Sequence, residues 1–218
     1  GASMPDAPRP VRHDFDEPAL PMDFQWLRTP LPERLFSLSE RPGHLRLFGR
    51  ESIGSWFEQA LVARRQEQWS FDAETVVDFA PETYQQAAGL VHYYNRHKFH
   101  FLAVTFHPGK GRVLQIMSCL GDWQNGRLSF GLAEPLAIGD GPVGLAAEVR
   151  GAGLRFRYRL GGGNWIDIGE VLDASLISDE GGRGEHASFT GAFVGMAAFD
   201  TSGRARPADF DFFSYSPK

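Results

Sequence analysis

The chain alternates short apolar runs with polar, turn-forming punctuation, and no stretch of helical length carries an apolar stripe. The cleanest segment is Leu154-Arg155-Phe156-Arg157-Tyr158-Arg159-Leu160. Leu154, Phe156, Tyr158 and Leu160 fall on one face and three arginines on the other, the period of two that a half-buried strand requires. Gly161-Gly162-Gly163-Asn164 then turns the chain into Trp165-Ile166-Asp167-Ile168, which predicts a β-hairpin. Strand-like runs recur over 44–48, 56–63, 75–79, 89–94, 99–106, 113–117, 128–132, 145–149, 192–199 and 210–215. About a dozen strands broken by Gly, Pro, Asn and Asp predict a sandwich or barrel. Residues 61–68 have helical propensity but lead straight into Trp69 and Phe71, so they read as strand and turn.

Composition agrees with this all-β reading. The 25 glycines and 14 prolines among 218 residues are the poorest helix formers, while 42% hydrophobic residues and 18 Phe, 5 Tyr and 5 Trp supply a core. Residues 5–22 hold five prolines and read as an extended linker or strap. The expected division is therefore a cloning remnant and Pro-rich linker over 1–13 and a single β-sandwich over 14–218. The remnant is Gly1-Ala2-Ser3-Met4, which shows no signal peptide. Cys119 is the one cysteine, so no intramolecular disulfide forms. A reducing compartment and a cytoplasmic location are expected.

Charge narrows the functional classes. A net charge of −5 with no basic stripe argues against nucleic-acid binding. No apolar run approaches the roughly 20 residues of a membrane-spanning helix.

Each catalytic motif fails a physical test. Gly139-Asp140-Gly141-Pro142-Val143-Gly144 fits a dinucleotide fingerprint in letters only, because Pro142 and the short 145–149 run leave no room for the required helix. His92, His97, His100 and His107 cluster in sequence, but His97 and His100 are three apart and point to opposite faces of a strand. Cys119 reads as a small buried hydrophobe. No nucleophile elbow occurs. The three arginines of 155–159 read as a solvated outer face, with an anion site as the alternative.

Carboxylates are the open case. Asp209 and Asp211 flank Phe210 and share a face, with Phe210 and Phe212 on the other; Asp14 and Asp16 repeat the pattern near the start. Backbone-capping or solvated aspartates are the plain reading. A structural calcium held by Asp16, Asp209 and Asp211 is the second. Acid/base glycoside chemistry is the third, and it suffers because i and i+2 neighbours face the same way instead of flanking a bond. Among the five tryptophans, Trp123 sits in turn-like polar company, Gly121-Asp122-Trp123-Gln124-Asn125-Gly126, and is a candidate sugar platform.

Several blocks carry a family resemblance. They are Phe24-Gln25-Trp26-Leu27-Arg28-Thr29-Pro30, Leu38-Ser39-Glu40-Arg41-Pro42-Gly43-His44-Leu45-Arg46-Leu47, Gly89-Leu90-Val91-His92-Tyr93-Tyr94-Asn95 and Val171-Leu172-Asp173-Ala174-Ser175. Near the end come Phe189-Thr190-Gly191-Ala192-Phe193-Val194-Gly195-Met196 and Pro207-Ala208-Asp209-Phe210-Asp211-Phe212-Phe213. Together, from about Asp14 to Tyr215, the chain resembles the C-terminal concanavalin-A-like domain of family 43 glycoside hydrolases of the β-xylosidase type. The resemblance implies a jelly-roll β-sandwich of two antiparallel sheets that packs against an N-terminal β-propeller catalytic domain. It places the catalytic carboxylates on that propeller and none here, so the chain alone is not expected to hydrolyse a xyloside. It also implies xylo-oligosaccharide as substrate, homo-oligomeric assembly and no required cofactor. In the family a loop of the sandwich closes the xylose pocket with a phenylalanine. By position this is Phe189, reached through the Gly-rich segment 178–187, with Phe193 as the alternative. An autonomous carbohydrate-binding module and a purely structural interaction domain are the competing functions.

Overall fold

Sixteen strands, described over residues 8–121, 127–181 and 190–218 in a computed structural model, arrange the apolar runs into two antiparallel sheets stacked face to face. In chain order they are β1 (Val11–His13), β2 (Phe24–Trp26), β3 (Phe36–Ser37), β4 (Leu45–Phe48), β5 (Ala60–Arg65), β6 (Ser70–Asp78), β7 (Gln86–Asn95) and β8 (Lys98–His107). The second half follows as β9 (Gly111–Leu120), β10 (Ser129–Phe130), β11 (Leu136–Ala137), β12 (Val143–Arg150), β13 (Gly153–Leu160), β14 (Ile166–Asp173), β15 (Phe193–Asp200) and β16 (Pro207–Pro217). One sheet runs β14-β13-β12-β6-β16-β4-β3, with β1 also paired to β16; the other runs β10-β9-β8-β7-β15-β5-β2, with β11 also paired to β9. This is the jelly-roll sandwich of the concanavalin-A type.

The two sheets bury side chains differently, and their sequences show why. In β6, Phe71, Ala73 and Val77 point inward and are fully buried while their neighbours are half-exposed, so period two is visible in the chain. In β7 and β8 nearly every residue is buried. Leu90 and Leu102 join the interior, while Val91, Tyr93, Phe99 and Phe101 form a second apolar cluster on the outer face with Ile53, Leu61 and Met117. A strand covered on both faces reads as a continuous apolar run, as residues 99–106 do. Cys119 is buried in that second cluster.

The predicted hairpin is β13–β14. Its outward arginines are occupied: Arg155 and Arg157 reach Asp167 at 3.0 Å, Arg157 also meets Glu148 at 2.8 Å, and Arg159 lies 4.5 Å over Trp165. Residues 139–144 pass from a loop into β12 with no helix.

Three details differ from the sequence expectations. Strand β5 begins at Ala60, and residues 56–59 belong to a loop closed by Gln59 Nε2 donating to the carbonyls of Ile53 and Ser55. The proline-rich segment contributes β1, whose Val11 and His13 pair with Tyr215 and Phe213, so the sandwich takes up residues before position 14. A β-bulge between Phe210 and Phe213 breaks the alternation of β16. It turns Phe210 and Phe213 into the interior and leaves Phe212 outside that cluster, under the Arg12 guanidinium at 3.7 Å. An extra residue on one strand reverses the facing of everything beyond it. Phe212 therefore does not share the inward face with Phe210.

Candidate functional site

One end of the sandwich gathers the segments that carried the functional expectations. The β5–β6 turn (66–69), the β7–β8 turn (96–97), the end of β9 and the β12–β13 turn (151–152) all lie there, as their strand registers require. From Asp173 the chain makes a 3-10 turn, Ala174–Leu176, capped by the Asp173 carboxylate accepting from the Ser175 backbone N–H. It then runs through Ile177–Gly181 and re-enters at Thr190 ahead of β15. Phe189 and Trp123 lie outside the described residues, but the residues flanking both segments are placed at this end. Gly121 N–H donates to the His97 carbonyl at 2.6 Å.

The two flanks of segment 182–189 are tied to one another. The Asp179 carboxylate accepts from the Tyr94 hydroxyl and, at 3.1 Å, from the Gly191 N–H. The same Tyr94 oxygen accepts from the Thr190 N–H at 3.0 Å. Lys98 Nζ donates to the Ser178 carbonyl at 2.8 Å and lies 4.3 Å over the Tyr94 ring. On the outgoing side, Arg65 donates to the Thr190 carbonyl and stacks 5.0 Å over Phe193. Hydrogen bonds from Tyr94 first, then from Gly191, hold the Asp179 carboxyl below its ordinary range. Burial pushes the Lys98 ammonium down, against the pull of Asp179 and Glu180. Gly181 has a steric role: a Cβ there would stand 2.5 Å from the Leu176 carbonyl oxygen and 2.6 Å from that of Ser175. Phe193 itself packs against the outer-face cluster of the second sheet.

Histidines enter the same end from the inside. His92 and His100 face each other across β7 and β8 and are both buried. His92 Nε2 meets Gln66 Oε1 at 2.8 Å, and His100 is held between Ser118 Oγ at 2.7 Å and the Asp173 carbonyl at 3.0 Å. Burial, with His100 adding repulsion, drives the His92 imidazole down to about 3, and burial lowers His100 in the same direction. His92 therefore stays neutral in the folded chain from pH about 6.5 down toward 3, where the unfolded chain already holds the proton. Stability is thus complete above pH about 6.5 and falls as pH drops toward 3, by roughly 1.4 kcal/mol per pH unit for His92. Urea midpoints between pH 6.5 and 4.5 should fall less steeply in His92→Gln than in the native chain; equal slopes would refute the assignment.

The aspartates lie elsewhere. Asp209 stands opposite Asp78, at the far end of β6 from Trp69. Its carboxylate accepts from Arg46 Nε at 2.7 Å and from Arg41 Nη1 at 2.8 Å. Burial alone would raise its pKa, but the Arg46 and Arg41 bonds outweigh burial and hold it below the ordinary range. Asp211 is exposed, 4.0 Å from His44, and Asp16 lies beside Gly43. Among the described residues no group of three His, Cys, Asp or Glu side chains is placed to hold a metal ion. A structural calcium on these aspartates would make the melting temperature fall on adding EDTA.

Nothing local marks Tyr94, Lys98, Arg65 or Asp179 as partners, since they reach the flanks of segment 182–189 across as many as 125 positions, from Arg65 to Thr190. The visible signal was the polar, glycine-rich composition of 178–187 next to a block of the resemblance.

A family model for the beta xylosidase C-terminal concanavalin A-like domain matches residues 12–216. Xylosidase/arabinosidase 43B of Humicola insolens is 53% identical over 208 residues, which cover 94% of this chain and 38% of that protein. A beta-xylosidase of Bacillus subtilis strain 168 is 40% identical over 222 residues, covering 98% of this chain and 39% of the relative. The crystal structure of a xylan beta-1,4-xylosidase from Bacillus halodurans C-125 superposes with a TM-score of 0.90 at 38% identity, over 98% of this chain and 41% of that one. The chain thus spans about two fifths of the length of these relatives.

Proposed function

From the concanavalin-A-like C-terminal domains of family 43 β-xylosidases, to which this chain belongs, we propose its role as the accessory sandwich of a β-xylosidase. In this reading it packs against a separate catalytic propeller, supports assembly of the enzyme, and closes the xylose pocket with segment 182–189, to which Phe189 belongs. The substrate class is xylo-oligosaccharide. The observation that carries the reading is the clamp at the base of that segment. Asp179, Tyr94 and Thr190 join the incoming and outgoing strands through one carboxylate and one phenol. A segment whose two flanks are tied together in this way suits a lid that covers apolar sugar surface and excludes water.

Phe189→Ala in the intact enzyme tests it. We expect kcat/KM on xylobiose to fall about tenfold or more, the scale of losing one ring against a substrate. An unchanged kcat/KM removes Phe189 from the pocket.

A further inference from the structure

Beside the clamp lies a groove of about 840 Å³, bounded by the 66–69 turn, the 151–152 turn and the 174–181 segment. Its volume is that of a small-molecule site. Ala152, Ala174, Ile177 and Ala192 line it with small apolar surface, and Trp69 stands among its lining residues with 81% of its surface exposed.

Trp69 differs from the other described tryptophans. Arg159 covers the Trp165 ring and Arg96 lies 3.9 Å over Trp56. Trp26 donates its Nε1–H to the Thr29 carbonyl and packs edge-on against Phe36. The Trp69 ring has no such partner among the described residues. Its backbone, in contrast, is pinned. The Trp69 carbonyl accepts from Gly151 N–H at 3.0 Å, and the Tyr215 hydroxyl accepts from the N–H groups of Glu67 and Gln68 at 3.1 and 3.3 Å. Gln66 N–H donates to the Ala192 carbonyl at 2.9 Å. An exposed indole on an immobilised turn is a platform whose ordering has already been met by folding.

The polar groups select the ligand. Gln68 lines the groove, and its Oε1 is buried with no hydrogen-bond partner among the described residues, a state that a donor from a bound molecule would relieve. Among the described residues, the charged ones lining the groove, Glu67, Asp179 and Glu180, are acidic. They disfavour an anionic ligand such as a uronate, although Arg64 stands 3.4 Å from Glu67, and they accept hydrogen bonds from hydroxyl groups. A flat apolar platform beside hydroxyl acceptors, with no cation among the described lining residues, is complementary to the C–H face and hydroxyl rim of a neutral pyranose. We infer that this groove is a binding site for a neutral oligosaccharide chain, with Trp69 stacking on one sugar ring and Gln68 accepting from a hydroxyl. This goes beyond the proposed function, because the groove needs no partner domain to hold a glycan.

The test is affinity electrophoresis of the 218-residue chain in native gels containing neutral arabinoxylan, hydroxyethyl cellulose or polygalacturonate. The native chain should be retarded by at least one neutral polymer and not by polygalacturonate. Trp69→Ala should weaken that retardation about tenfold, the loss of roughly one stacking contact. Gln68→Leu, which keeps the ring, should weaken it about threefold, and Trp56→Ala should leave it unchanged. Thermal melts check that each variant is folded, and if Trp69→Ala is not, Gln68→Leu decides. No retardation in either neutral polymer overturns the inference, as does retardation unaffected by the decisive variant or equal in the anionic gel. Xylobiose turnover has no part in this readout, so the groove and the Phe189 lid can fail separately.

Discussion

Under the proposed role as the accessory sandwich of a β-xylosidase, Asp179→Ala in the intact enzyme is expected to lower kcat/KM on xylobiose about 10- to 100-fold while leaving the stability of the sandwich nearly unchanged. Asp179 is exposed and buries little, but its carboxylate joins the Tyr94 hydroxyl to the Gly191 N–H at the two ends of segment 182–189. Removing it unties the incoming strand from the outgoing one. Displacement of a positioned group by about 1 Å costs on the order of 100-fold when that group lies against the reacting substrate. Asp179→Asn keeps an oxygen that accepts both bonds and should recover part of the loss. Steady-state kinetics beside urea unfolding separates the outcomes. A kcat/KM equal to native shows that the clamp does not position the lid, and a large stability loss shows that Asp179 is a structural residue.

Asp209→Ala is expected to act the opposite way, lowering the unfolding free energy by about 2 kcal/mol at neutral pH. The figure lies between the value of exposed ion pairs and that of fully buried ones. The Asp209 side chain is 8% exposed, while those of Arg46 and Arg41 retain 23% and 36%. Without Asp209, Arg41 still meets Asp78 at 2.8 Å, but Arg46 keeps only Glu40 at 3.4 Å. Since the folded-state pKa of Asp209 is depressed, its stabilisation is present above pH about 3.9 and is lost as pH falls through the folded value. The gap between native and variant urea midpoints should therefore narrow below pH 4. A gap under about 0.5 kcal/mol at pH 7 would class the pair with surface bridges.

These predictions rest on contacts of different legibility. The period-two alternation of 154–160 and the turn at 161–164 announced β13 and β14, because one face of that hairpin meets solvent and the other the core. Residues 99–106 announced a strand but not its neighbours. A strand buried on both faces carries no facing information, and only the placement of Ile53 and Met117 on its outer side accounts for Phe99 and Phe101. The aspartate pattern in β16 misled for a related reason. Alternation predicted Phe212 inward with Phe210, and the bulge opposite Val77 and Thr75 turned Phe213 inward instead. A bulge is decided by pairing with another strand and leaves no mark in the bulged strand itself.

The amino-acid sequence alone determined that this is an all-β sandwich, since alternation and turn chemistry act over a few residues and survive in the order of the chain. Its blocks also carried the resemblance that the family match bears out. Tertiary structure alone decided which distant residues meet at each end of the sandwich. Tyr94 reaches Asp179 across 85 positions and Arg41 reaches Asp209 across 168. It also decided that Trp69, one of five tryptophans in the sequence, is the most exposed of the described ones and stands on a fixed turn beside a groove. Local pattern reports which side of a strand is apolar; what stands opposite a side chain depends on how the two sheets register and close, and that is set only when the whole sandwich packs.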